Sequence, residues 1–178
     1  MKPERVKKPR PPLDAEALER LAVHYVGRYA TTRSKLKQYL ARKLKERGWG
    51  GESSPDVELL AERLSGLRYI DDGAFAAARA SSLQRRGYGE RRVTQSLRAA
   101  GVEDEDVAAV RGQVEEGARE AALRFARRKR LGPFATHELD REAKQKAFAA
   151  MVRAGHPMNI VREVLNTSPE DIPDSDNI

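Results

Sequence analysis

The chain has 178 residues, with 34 Lys and Arg against 27 Asp and Glu, a formal net charge of +7 and no cysteine. That length admits one modest domain or a few small modules, and the lack of cysteine excludes disulfides and thiolate metal sites. The basic balance favours a polyanion or an acidic protein surface as partner, set against the plainer reading of a solvated, charge-rich helical surface. Hydrophobic content of 39% and charged content of 34% suggest helices around thin cores, and aromatics at 6% argue against a large aromatic core or a stacking platform. No apolar run approaches the ~20 residues of a membrane span. The basic start lacks the apolar stretch of a secretory signal, so a cytoplasmic protein is the expectation.

Residues 1–12 set Lys2, Arg5, Lys7, Lys8 and Arg10 among four prolines and read as a disordered basic tail, more readily a solubilising arm than a DNA-binding one. Asp14 is a good cap for a first helix, with Leu13 and Leu18 as its staple and Leu21, Ala22, Tyr25 and Tyr29 at helical spacing. Thr32 would cap a second helix with a Leu36/Leu40/Leu44 stripe and Lys35, Gln38, Arg42 and Lys45 opposite it. Gly48 stops that helix, and Trp49 supplies an apolar contact just after it. Ser54-Pro55 reads as cap and first residue of a third helix with Leu60, Leu64 and Leu67 inward. Asp71 and Asp72 are caps for a fourth, with Phe75, Ala78 and Ser82 on one side. Gly87-Tyr88-Gly89 breaks it, since two glycines so close cost too much helical stability. A fifth helix starts near Glu90, carries Val93, Leu97 and Ala100 inward, and ends at Gly101. A sixth, from about Asp104, has acids in its first turn and Val107, Val110 and Val114 inward. The seventh carries Ala118, Ala121, Ala122 and Phe125 and ends in Arg127-Arg128-Lys129-Arg130. The eighth runs roughly from Asp140 to Ala154, and the ninth has Val161, Val164 and Leu165 inward. Residues 168–178 hold Glu170, Asp171, Asp174 and Asp176 and no base, and read as a disordered acidic tail.

An internal repeat underlies this order. LKERGW, LRAAGV and MVRAGH each set a large apolar residue four positions before a glycine: Gly48, Gly101 and Gly155, spaced by 53 and 54 residues. Val107 and Val110 match Val161 and Val164 in offset from their glycines. The fold class expected is therefore all-α: nine helices in three tandem three-helix modules, residues 13–70, 71–114 and 115–167, stacked into an elongated, curved body.

No catalytic constellation stands out. His24, His137 and His156 are dispersed, and neither a phosphate-binding glycine loop nor a cysteine nucleophile is present. Asp71 and Asp72 are better explained as caps than as a metal pair. The expectation is a protein that is not an enzyme and needs no cofactor or metal. What recurs is basic surface: Lys35, Arg42 and Lys45; then Arg85, Arg86, Arg91, Arg92 and Arg98 around the Tyr88 turn; then Arg127, Arg128, Lys129 and Arg130. Arginine dominates the last two groups, and its planar fork suits phosphate or carboxylate. The helix dipole accounts for part of the 127–130 run, but cations at the start of the fifth helix oppose it, which makes Arg91 and Arg92 the best contact candidates. Three classes of function remain: a regulator that binds a long, periodic partner, to which basic patches repeated along the modules are suited, a stand-alone helical DNA-binding protein of the transcription-factor kind, and a scaffold without nucleic acid. No polar recognition helix stands out for the second.

The segment Y-I-D-D-x-x-F-A at Tyr69–Ala76, followed by R-G-Y-G-x-R-R-V-x-x-x-L-R-x-x-G-V at Arg86–Val102, resembles the RecX family of bacterial recombinase regulators, and RSKLKQYL upstream looks like its first-repeat motif. The resemblance runs from about Leu18 to about Leu165. It implies three tandem three-helix modules that bind in the groove of the RecA filament on single-stranded DNA and inhibit its ATPase, strand-exchange and repressor-cleavage activities, as part of DNA repair and the SOS response. A monomer is expected. The matching positions are Tyr69, Asp71, Asp72, Phe75, Gly87, Tyr88, Gly89, Arg91, Arg92, Val93, Leu97 and Gly101, most of them structural.

Overall fold

In a computed structural model, residues 11–137 and 140–172 are described, and among them the architecture is all-α, built of tandem three-helix modules. The basic arm at 1–10 and the end of the acidic tail at 173–178 lie outside the described residues. By contacts the chain divides into two compact units, residues 1–71 and 72–178.

The first unit holds α1 (Ala15–Arg28), α2 (Arg33–Arg47) and α3 (Val57–Gly66). Its core is Leu13, Leu18, Ala22, Leu36, Leu40, Ala61, Leu64 and Ile70. Asp14 Oδ1 accepts from Ala17 N–H at 2.7 Å and Thr32 Oγ1 from Lys35 N–H at 3.1 Å, as their positions before apolar stripes predict. Leu13 is pinned as well as buried. Its N–H donates to Gly48 O at 2.9 Å, and its own carbonyl accepts from Gly50 N–H at 2.8 Å. Chain entry and the end of α2 are thus tied together, and Arg47 closes the tie by donating to Pro11 O.

Three expectations in this unit shift. Asp56 rather than Ser54 caps α3, its carboxylate accepting from Leu59 N–H at 2.8 Å. An ionised carboxylate at a helix N-terminus makes a stronger, charge-assisted bond than a hydroxyl does. Leu67 is 61% exposed, because it falls at the cap, where the helical direction is already lost. Tyr29 is 51% exposed for the same reason, as the extended C-cap of α1.

The second unit holds α4 (Asp72–Arg85), α5 (Glu90–Ala99), α6 (Asp104–Ala109), α7 (Arg111–Glu116), α8 (Ala118–Lys129), α9 (Arg141–Arg153) and α10 (Met158–Asn166). Short 3-10 turns occur at Gly132–Phe134 and Pro169–Asp171, the latter within the stretch expected to be an acidic tail. The single sixth helix expected from 104 is two helices, divided at Val110. Three β-branched valines and Gly112 make this segment a poor helix. The division lets Val110 and Val114 both reach the core. Gln84 Nε2, buried, donates to Val114 O at 2.8 Å and occupies a carbonyl at the end of α7.

This unit has two apolar clusters. Ala76, Ala80, Leu83, Val93, Leu97, Ala100, Val102, Val110 and Val114 form one. Ala122, Leu123, Phe125, Ala126, Met151, Ala154, Val161 and Val164 form the other. In α4 the buried face is Ala76, Ala80 and Leu83, with Phe75 at its edge, whereas Ala78 is exposed. The two later repeat glycines close α5 and α9 in the same way. Gly101 (φ 71°) and Gly155 (φ 95°) are left-handed, and the residue after each donates back across the turn, Val102 to Leu97 O and His156 to Met151 O. Leu97 and Met151, each four before its glycine, are fully buried.

Candidate polyanion interface

The turn between α4 and α5 positions the site. Gly87 (φ 75°) and Tyr88 donate back to Gln84 O at 2.8 Å and Leu83 O at 3.0 Å, ending α4 in a left-handed cap. Gly89 N–H then donates to Ala154 O at 3.0 Å and Arg91 N–H to Gly155 O at 3.1 Å. The unpaired donors at the start of α5 are therefore met by carbonyls at the end of α9. The contact is backbone on backbone. A Cβ at Gly89 would lie 2.3 Å from the Gly155 carbonyl carbon, and one at Gly155 would lie 2.5 Å from Arg92 N, so only glycine fits either position.

His156 completes the junction. It is 3% exposed, with Nε2 3.2 Å from Gly87 O and its ring edge-on to Phe125 at 5.6 Å. A carbonyl only accepts, so Nε2 carries the proton. Nδ1 is buried without a partner among the described residues. Burial lowers the His156 pKa from 6.5, with the Gly87 hydrogen bond opposing, so the ring is neutral at pH 7.

On this platform three guanidinium groups surround one ring. Arg86, Arg92 and Arg128 lie 5.6, 5.9 and 5.9 Å from the centroid of Tyr88. Arg128 is held there by donating to Arg86 O, and it also lies 5.4 Å from the ring of Phe125. Beside them is a depression of about 470 Å³ lined by Arg79, Leu83, Arg86, Tyr88, Arg92, Gln95 and Ser96, in which Arg79 Nε donates to Ser96 Oγ at 3.0 Å. Among the described residues, Arg79, Arg86, Arg92 and Arg128 have no carboxylate within ion-pair distance. A concave surface with one sign of charge focuses the field, and each guanidinium has donors to offer a phosphate or carboxylate.

The other candidates separate from this cluster. Arg85 and Arg91 are exposed and do not line the depression. Arg98 pairs with Asp104 at 3.2 Å. Arg127 lies 5.2 Å from the ring of Phe134, Lys129 is exposed, and Arg130 (φ 54°) takes the left-handed position after α8. In the first unit, Arg42 lies 5.7 Å from the Tyr39 ring and 3.7 Å from Glu46. Lys45 is exposed, and Lys35 is half-buried in the first turn of α2. Arg79 escaped the sequence reading, although it stands in α4 seven residues before Arg86, about two helical turns from the end of that helix.

Cations at the start of α5 meet a weaker opposing field than an isolated helix would present. The positive end of α5 abuts the negative end of α9, which weakens the field that Arg91 and Arg92 experience. Their position at a helix start therefore requires no anionic partner. The case for Arg92 rests instead on the cluster around Tyr88. Among the described residues no group of three or more His, Cys, Asp or Glu could hold a metal ion, and no helix is long and apolar enough to cross a membrane.

Comparison with known proteins bears on the same segment. A profile described as RecX, second three-helix domain, matches residues 71–110, which contain α4, the Tyr88 turn and α5. Regulatory protein RecX of Myxococcus xanthus (strain DK1622) is 38% identical over 160 residues, covering 85% of this chain and 86% of that protein. Regulatory protein RecX of Herbaspirillum seropedicae is 28% identical over 162 residues, covering 90% and 94%. The crystal structure of RecX from Lactobacillus salivarius superposes with a TM-score of 0.69 at 16% identity, over 85% of this chain and 94% of that one, a likeness of fold. With 38% identity sustained over most of both chains, this protein belongs to the RecX family of regulatory proteins.

Proposed function

We propose that this chain binds the filament that RecA forms on single-stranded DNA, through the arginines around Tyr88, and inhibits the filament's ATPase, strand-exchange and coprotease activities. It thereby modulates DNA repair and recombination. Family membership supports the regulatory role. The observation that carries the binding mode is the set of three arginines gathered on Tyr88 beside a concave surface, with no carboxylate partner among the described residues. Filament surfaces present DNA phosphates and protein carboxylates, and the guanidinium fork binds either.

The test is RecA-dependent ATP hydrolysis on single-stranded DNA, titrated with the purified chain. Hydrolysis should fall as the protein is added. Hydrolysis that stays constant, alongside tight binding to one duplex sequence, would contradict the proposal and favour a stand-alone DNA-binding protein.

A further inference from the structure

Three of the five tyrosines, spread over 15 residues of sequence, come together in the first unit. Tyr25 and Tyr39 stack at 4.2 Å between centroids, 13° from parallel, and Tyr29 continues from Tyr25 at 5.3 Å and 50°. Low aromatic content argued against any stacking platform; folding α1 against α2 assembles a small one. Packing alone explains Tyr25 and Tyr39, which are half-buried against the core of the unit. It does not explain Tyr29, which is 51% exposed at the end of the column.

Cations flank the rings. Arg28 lies 5.8 Å from the Tyr29 centroid, while Arg42 and Lys43 lie 5.7 and 5.8 Å from that of Tyr39. Arg42 and Lys43 share Glu46, but Arg28 has no carboxylate within ion-pair distance among the described residues. This charge disfavours a cationic ligand such as an ammonium group. It favours an anionic ligand with a flat face. A nucleotide in a single strand has both, whereas a duplex keeps its base faces stacked internally.

We propose that Tyr29 is a stacking site for a base of single-stranded DNA, with the Tyr25–Tyr39 pair holding its ring in place and Arg28 beside the backbone phosphate. This adds a strand contact to the filament reading above, yet it depends on no recombinase.

The experiment measures binding of the purified full chain, without recombinase, to a fluorescent oligo-dT and to an abasic strand of the same length and charge. One stacked base should favour the dT strand by about fivefold or more. Tyr29→Ala should remove that preference and leave the residual, salt-dependent binding common to both strands. Tyr29→Phe and Tyr29→Trp should retain it, and circular dichroism should show all three variants folded. Equal wild-type affinity for the two strands, no binding to either, a preserved preference in Tyr29→Ala, or preference for duplex of the same length would each overturn the proposal. Since the assay contains no RecA, failure here leaves filament inhibition standing, and loss of filament inhibition leaves this result standing.

Discussion

Gly89 and His156 show how single residues hold the second unit together. Gly89 admits the carbonyl end of α9 to the start of α5, so a methyl group there collides with backbone on the other side. Gly89→Ala should therefore lower stability by about 2 kcal/mol or more, the upper range for overpacking, because neither backbone can yield as a side chain would. Chemical denaturation reads this directly, and an unchanged midpoint would contradict it. His156 ties stability to pH. Its folded pKa is depressed by burial, so the unfolded chain takes up the proton first as pH falls through about 6.5. The contribution of the neutral ring is complete above that pH and is lost as pH falls toward the lower folded value. The denaturation midpoint should drop between pH 7.5 and 5.5, and His156→Gln should lose that component of the slope. The same pH dependence in the variant would assign it to other groups.

At the scale of the element, caps decide more than propensity. Just after α3 and α8 stand Arg68 (φ 61°) and Arg130 (φ 54°), each at a position where the left-handed backbone favours glycine. Arg68→Gly relieves the Cβ contact but adds freedom to the unfolded chain, so it should raise stability by no more than about 1 kcal/mol. A thermal melt that moves clearly downward would show instead that the Arg68 side chain contributes to the fold. These elements also show what the sequence made legible. The stripes Leu36/Leu40, Val93/Leu97 and Val161/Val164, the caps Asp14 and Thr32, and the stop at Gly101 were readable because each depends on neighbours within a turn or two. The break at Val110 and the cap at Asp56 were missed. In the first, β-branched residues weaken a helix without a strong breaker; in the second, two capping residues compete across a proline. The arginine cluster was legible only as composition. Nothing local in Arg128 says that it meets Arg86 and Tyr88, some 40 residues earlier, and the pairing of Tyr25 with Tyr39 was hidden for the same reason.

At the scale of the whole molecule, a net charge of +7 would give the proposed contact with DNA a sequence-independent part. Affinity for single-stranded DNA should therefore fall steeply between 50 and 200 mM salt, with the slope counting the phosphates contacted. A salt-independent affinity would contradict a phosphate interface. The filament reading requires more than charge, namely that the arginines at the α4–α5 turn contribute out of proportion to their number. The most direct measurement compares two charge-reversed proteins in RecA-dependent ATP hydrolysis on single-stranded DNA. Arg86→Glu/Arg92→Glu reverses the exposed arms of the cluster and spares the backbone carbonyl that Arg128 uses. Arg141→Glu/Lys144→Glu makes the same change in net charge on exposed residues of α9 that do not line the depression. Both should stay folded, with stability changes within about 1 kcal/mol. The first variant should lose most of its inhibition and the second should keep most of it. Equal inhibition by the two variants would contradict a site at Tyr88.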